Sequence, residues 1–173
     1  MFKLNSQKEI DENYQGINIS EFTYSNDENL SKDDLIDYFI HSNSFAEESR
    51  REIIKNHTGD IPFLRQAFEI DFVKISDFKI VNKNGVVQFL NVYSEEVDWG
   101  DTDGIDFIKL KDRFIEFLKI IQSDKFYLIS KEWFDENDKR LRHEENWIYS
   151  YYFLIIWTDE ISKTLTISEW TYD

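Results

Sequence analysis

The stretch from Trp147 to Trp157, WIYSYYFLIIW, constrains the fold more than any other part of the chain because it is apolar at nearly every position. Successive side chains of a strand point to opposite faces of a sheet. Large apolar side chains would therefore cover one face at every second position from Trp147, and the other face at Ile148, Tyr152, Leu154 and Ile156. A strand that is apolar on both faces is usually central and covered on both sides. The sequence thus predicts a sheet with material packed on both faces.

Three further segments have the composition of strands. Residues 126–134 and 163–170 flank the central strand and predict an antiparallel meander, joined by a polar loop at 135–146 and a short turn near 158–162. In 163–170, Leu165 and Ile167 alternate with threonine and serine, which predicts a half-solvated edge strand. Residues 17–24 predict a first strand that follows a polar arm of about fifteen residues.

The tetrapeptide from Asn82 to Gly85, NKNG, predicts a β-hairpin because Asn-Gly readily adopts the positive φ of tight hairpin turns. Strands would flank it, with Phe78 and Ile80 before the turn and Val87 and Phe89 after it.

Helical spacing of apolar residues marks the remaining elements. Ser31 precedes an acid by three residues, as in a helix cap, and the apolar residues from Leu35 to Ile40 follow, which predicts a helix over about 32–43. A second helix over about 44–57 would complete an N-terminal helix pair, with Gly59 as the stop. Apolar residues at three- and four-residue intervals predict a later amphipathic helix packed on the sheet: Phe107, Leu110, Phe114, Phe117 and Ile121.

These elements predict an α+β fold with a largely antiparallel sheet of about five to six strands. A chain of 173 residues without a break in composition is expected to form a single domain over 1–173. No signal-like or bilayer-length apolar run occurs and cysteine is absent, which together indicate a cytoplasmic protein.

The net charge of −15 is concentrated in two segments. Residues 9–49 hold eleven acids against one base, and residues 84–108 hold six acids and no base, whereas the rest of the chain sums to +1. A field of this sign repels phosphate backbones and anionic membrane surfaces, so direct binding of either is disfavoured. A basic protein partner is favoured instead. The alternative is that the acids serve only solubility.

The densest acidic stretch is residues 95–106, EEVDWGDTDGID, which we interpret as an exposed loop before the later helix. Together with acids from the first segment it supplies the predicted partner-binding residues: Glu95, Glu96, Asp98, Trp99, Asp101, Asp103, Asp106, Asp33, Asp34 and Asp37. Trp99 would anchor an apolar contact, or instead fold back onto its own core. The stretch fails as an EF-hand, because aligning Gly104 as its sixth residue puts Trp99 first and Leu110 last. Its aspartates also suit a helix N-terminus, where carboxylates accept backbone bonds.

No signature of catalysis or of cofactor binding occurs in the chain. It lacks a zinc-protease histidine pair, a nucleophile elbow and a glycine-rich phosphate loop, so no catalytic residue, metal ligand or cofactor is predicted. We therefore expect a non-enzymatic binding protein, either an immunity protein that neutralises a bacterial toxin such as a nuclease, or a phage inhibitor of host defence. Two alternatives stay open. One is an enzyme that uses carboxylates, for example on a sugar, and the other is an assembly module that dimerises through its aromatic sheet face.

Overall fold

The computed structural model describes residues 2–25, 30–42, 67–69, 71–96, 100–141 and 151–172, with the backbone alone for Glu96 and residues 100–103. Within these ranges six strands form one sheet: β1 Phe2–Glu12, β2 Gln15–Tyr24, β3 Lys79–Val81, β4 Phe126–Ser130, β5 Tyr151–Asp159 and β6 Thr164–Tyr172. The described α-helices are α1 Lys32–Ile40, α2 Lys83–Glu96 and α3 Gly100–Ile120. Short 3-10 helices span Ile75–Asp77 and Lys131–Trp133.

The sheet has the strand order β1-β2-β6-β5-β4-β3, and every neighbouring pair is antiparallel. Strands β4, β5 and β6 form the predicted meander, and the hairpin of β1 and β2 docks onto the outer side of β6. Asn13 closes that hairpin with a φ of 53°, a conformation that asparagine tolerates better than most residues. The α+β class and the antiparallel sheet are thus confirmed.

Strand β5 lies inside the sheet and is covered on both faces, as its composition predicts. On one face Phe153 and Trp157 pack in a cluster with α2 and α3. On the other face Tyr152 and Ile156 pack in a second cluster with α1. The sheet is consequently the middle layer between helices.

The prediction of a half-solvated edge strand over 163–170 is wrong. Strand β6 lies between β2 and β5, and its polar residues Thr164, Thr166 and Ser168 are buried. Ser168 accepts a hydrogen bond from Trp170 Nε1 at 2.7 Å, so a small hydroxyl partners the indole beneath the helices. Alternation of apolar with small polar residues suggests that the polar face is exposed to solvent. Small polar residues also fit a buried face when a neighbour forms a hydrogen bond with a hydroxyl, as Trp170 does with Ser168.

Residues 2–12, which the sequence places in a polar arm, form the edge strand β1. The strand is polar because most of its side chains are exposed. Ile10 packs against the cluster that contains α3, and charged pairs add to this contact. Glu12 pairs with Arg113 at 2.5 Å and with Lys109 at 3.5 Å. Hydrophobic alternation therefore cannot reveal this strand.

The hairpin predicted at Asn82–Gly85 is also wrong, because this segment begins helix α2. The Asn82 side-chain oxygen accepts a hydrogen bond from the Gly85 N–H at 2.9 Å, so asparagine caps a helix here instead of making a turn. Val86, Leu90 and Tyr93 then face the sheet at helical spacing, whereas the predicted strand residues Val87 and Phe89 are only partly buried. Asparagine favours both structures, and packing of the apolar face selects the helix.

We expect Gly85→Ala to destabilise the protein although alanine favours helices. A Cβ at Gly85 would lie 2.7 Å from the Val81 Cβ, which is too close to be accommodated without displacing β3 or α2. Overpacking of this kind costs about 1–3 kcal/mol, more than the ~0.5–1 kcal/mol gained from helix propensity. Urea denaturation measures the net loss. The control Asn84→Ala, at an exposed position of the same helix turn, should be neutral or stabilising.

The first predicted helix is confirmed as α1, with its N–H of Asp34 bonded to the Ser31 hydroxyl at 3.2 Å. The second predicted helix, at 44–57, lies outside the described residues, so the predicted N-terminal helix pair is not matched. Among the described helices, α2 and α3 follow each other along the chain. The later amphipathic helix is confirmed as α3, but it begins at Gly100, within the acidic stretch. None of the described helices has the length and apolarity needed to cross a membrane.

Candidate functional site

The acidic stretch 95–106 lies where α2 is followed by α3. Helix α2 ends at Glu96 and α3 begins at Gly100, so most of the stretch is helical rather than a long loop. Asp98 and Trp99 lie outside the described residues, and Asp101 and Asp103 are described by their backbone alone. The stretch, with six carboxylates in its sequence, therefore includes the last residues of α2 and the first two turns of α3.

Exposed apolar side chains lie beside the α2–α3 junction, where α2 ends at Glu96 and α3 begins at Gly100. Lys111 donates a hydrogen bond to the Asn91 side-chain oxygen at 2.9 Å, which ties the outer faces of α2 and α3 together. Glu95 is one helical turn from Asn91 toward the junction, and Ile108 is one turn from Lys111 in the same direction. Ile105 and Ile108 are 59% and 45% exposed. We call Glu95, Ile105 and Ile108 the turn surface.

Helix electrostatics separate the acids of the stretch into two groups. Asp101 and Asp103 lie in the first turn of α3, where the positive end of the helix dipole favours carboxylates. Glu95 and Glu96 lie in the last turn of α2, which has no basic residue and where the negative dipole end disfavours them. Helix stability can therefore account for the aspartates but not for the two glutamates.

Asp106 is a structural carboxylate and does not belong to the turn surface. It is buried, and it accepts hydrogen bonds from the Asn13 amide and from Lys109 Nζ, the latter at 2.9 Å. The Asn13 bond, followed by that of Lys109, lowers the pKa of Asp106. The carboxylate thus ties the β1–β2 turn to α3. It is therefore not available to a partner, although it is among the partner-binding residues predicted from the sequence.

The three acids predicted on α1 lie on the other side of the sheet, because α1 covers the face opposite α2 and α3. Asp33 accepts hydrogen bonds from Lys125 and from the Tyr127 hydroxyl. Asp34 accepts from the Ser31 hydroxyl, and Asp37 accepts weakly from the Ile75 N–H at 3.4 Å. The structure therefore does not bring the predicted residues of the two acidic segments into one site.

The Asp33 contacts predict a pH dependence of stability. Hydrogen bonds from Lys125 and then Tyr127 lower the pKa of Asp33 below its ordinary value of 3.8. A carboxylate whose folded pKa is lowered stabilises the fold above its unfolded pKa, and this contribution is lost as the pH falls through the folded pKa. Wild type should therefore exceed Asp33→Asn in free energy of unfolding at pH 7, and the difference should shrink below about pH 4.

Urea denaturation at several pH values from neutral to acidic measures this difference. The control Asp71→Asn removes an equal charge at an exposed position. If both variants lost the same stability at every pH, the Asp33 contacts would contribute nothing specific.

An open groove of about 730 Å³ lies between α2 and the β3–β4 edge of the sheet. Its walls are mainly apolar, and Glu132 is the one carboxylate among its described lining residues. No group of three or more potential metal-ligating side chains occurs among the described residues. The groove therefore lacks the convergent carboxylates that the sugar-hydrolase alternative requires. Sequence reasoning missed it because the residues from Val87 to Phe89 were assigned to a strand.

The described aromatic side chains of β5 are buried, including Tyr151, Tyr152, Phe153 and Trp157. They do not offer the exposed aromatic face that the assembly alternative requires. The chain as a whole matches no protein-family model, no curated protein and no solved structure.

Proposed function

We propose that this chain is a small acidic cytosolic protein that neutralises a basic protein partner, in the manner of an immunity protein against a nuclease toxin or of a phage inhibitor of host defence. One observation carries the proposal: two exposed isoleucines and an exposed glutamate form the turn surface at the junction, where five carboxylates besides the structural Asp106 occur without a base. Neither of the other classes, the carboxylate enzyme and the aromatic assembly module, has a comparable described surface.

The composition of the junction suits recognition of a basic partner. Clustered carboxylates attract a basic surface over a distance of about 10 Å at moderate salt and speed encounter. Exposed apolar side chains then hold the complex, because burying them against a partner removes apolar surface from water. Ile105 and Ile108 supply such side chains, and Trp99 is the aromatic anchor proposed from the sequence.

The placement of Glu95 and Glu96 supports a role outside folding. Acids in the last turn of a helix cost about 0.3–1 kcal/mol each through the dipole. Two consecutive glutamates at that end of α2 are a small stability loss that a contact with a basic partner would offset.

Affinity capture from the lysate of the source organism tests the proposal. The bait would be compared with a junction variant, Glu95→Gln with Asp98→Asn, Asp101→Asn and Asp103→Asn. A matched control removes four exposed acids elsewhere: Glu9→Gln, Asp11→Asn, Asp71→Asn and Asp135→Asn. We expect wild type and control to retain a basic protein that the junction variant loses. Retention of the same proteins by all three baits would contradict the proposal.

A further inference from the structure

The groove between α2 and the β3–β4 edge has the properties of a ligand site distinct from the turn surface. Its volume of about 730 Å³ falls within the range of about 300–1,000 Å³ that is usual for small-molecule pockets. Val81, Phe89, Val92 and Leu128 line it with apolar surface. Val92 is 40% exposed although it borders this surface, so the groove presents apolar area to solvent that a ligand would cover.

One wall of the groove carries a positive charge held on an aromatic ring. Lys79, on β3, places its ammonium 3.9 Å from the centroid of the Trp133 ring. This cation–π contact, together with the edge-on packing of Phe89 against Trp133 at 5.9 Å, orients both groups at the groove. The ammonium retains its hydrogen-bond donors, since a ring face accepts none of them in the usual sense.

The same wall carries a negative charge, the Glu132 carboxylate, which a buried hydroxyl group holds in place. Glu132 precedes Trp133 in the 3-10 helix, and its carboxylate accepts a hydrogen bond from the buried Ser130 hydroxyl. Tyr93 lies close by, where burial and then the charge of Glu132 raise the pKa of its hydroxyl. A carboxylate has about four lone-pair sites, so Glu132 can accept from a ligand while it holds Ser130 and interacts with Tyr93.

We propose that the groove binds a zwitterionic ligand with an apolar body, of the class of an α-amino acid with a large apolar side chain. The Lys79 ammonium would bind the ligand carboxylate, Glu132 would bind the ligand ammonium, and the apolar body would lie along Phe89, Val81 and Leu128. A ligand of either single charge would meet one partner and one repelling group, whereas a zwitterion satisfies both.

Three probes with the same aromatic body test this assignment: phenylalanine carries both charges, phenethylamine only the cation and 3-phenylpropionate only the anion. Saturation-transfer NMR titrations of the whole chain give their dissociation constants. We expect phenylalanine to bind roughly tenfold more tightly than either single-charge probe, the effect of one hydrogen bond to a charged group. Equal binding of all three probes, or no binding of any up to about 10 mM, would overturn the proposal.

Two variants assign the charges to their residues. Glu132→Gln, which keeps an oxygen for Ser130, should weaken phenylalanine binding roughly tenfold and remove its advantage over 3-phenylpropionate. Lys79→Met should instead remove its advantage over phenethylamine. The controls Glu136→Gln and Lys3→Met change exposed charges outside the groove and should bind like wild type. Loss of binding by the controls as well as the variants would show that only net charge matters and would overturn the assignment.

Discussion

Trp170→Ala is expected to lower the free energy of unfolding by about 3–5 kcal/mol, a large part of the roughly 5–15 kcal/mol that stabilises a typical domain. Trp170 is fully buried on β6, at the centre of the cluster between the sheet and α3. Its ring stacks on Phe153 at 5.0 Å and meets Phe114 edge-on at 5.2 Å. Truncation would leave a cavity under α3 and the Ser168 hydroxyl without the indole that it accepts from.

Equilibrium denaturation in urea measures this loss. Ile161→Ala is the matched control, because Ile161 is 91% exposed and its truncation should change stability by no more than about 0.5 kcal/mol. If Trp170→Ala cost less than about 1 kcal/mol, α3 would not pack on the sheet as described. The position of the turn surface, which depends on α3, would then be wrong as well.

The double variant Ile105→Ala with Ile108→Ala is expected to weaken binding of the basic partner by about 2 kcal/mol, or roughly thirtyfold in dissociation constant. Both side chains are exposed, so their truncation should leave stability almost unchanged. The loss should appear mainly as faster dissociation, because anchors that become buried in a complex act after encounter. Trp99→Ala is expected to act in the same direction, with a similar magnitude.

Titration calorimetry and dissociation kinetics with the purified partner measure the effect. The control Ile120→Ala with Ile161→Ala removes two isoleucines that are still more exposed, at 73% and 91%, but lie far along the chain from the junction. Equal weakening by both double variants would mean that the turn surface has no special role. Unchanged binding by both would move the interface elsewhere, with the acidic 9–49 segment as the remaining candidate.

The parts of the fold that follow from a single face of one element could be predicted from the sequence. The 147–157 segment is apolar on both faces, which predicts the interior position in the sheet that its described part, β5, occupies. The apolar spacing in α1 and α3 likewise shows which side of each helix packs. These predictions hold because the spacing of apolar residues reflects which face of the element is buried.

The parts that failed depend on partners distant in the chain. Strand β1 pairs with β2 and has charged contacts with α3, and β6 lost its expected edge position because the N-terminal hairpin pairs with it. At Asn82, a residue that suits both turns and helix caps was assigned by its local neighbours, whereas contact of Val86 and Leu90 with the sheet decides for the helix. Local propensity cannot weigh contacts that form only in the folded chain.

The candidate site likewise combines features that the local sequence predicts with features that depend on residues distant in the chain. The acidic stretch was evident from the sequence, but its interpretation as a loop concealed that Ile105 and Ile108 lie on the outer face of a helix. Asp106 was predicted to contact a partner. Its hydrogen-bond donor Asn13 is 93 residues away in the chain, so no local sequence pattern indicates this contact. The groove was missed because α2 was assigned to a strand at Val87–Phe89, and because the rest of its lining comes from β3, β4 and the 3-10 helix after β4.

The most direct test of the central claim, that the α2–α3 junction receives a basic partner, is the association rate measured by stopped flow at low and at physiological salt. The comparison uses the purified partner with wild type, the four-residue junction variant, and the control that lacks Glu9, Asp11, Asp71 and Asp135. We predict that the junction variant associates more slowly at low salt and with a weaker salt dependence, while the control behaves like wild type. Equal slowing of the two variants, with both folds intact, would show that only the net charge of the protein matters and would contradict the claim.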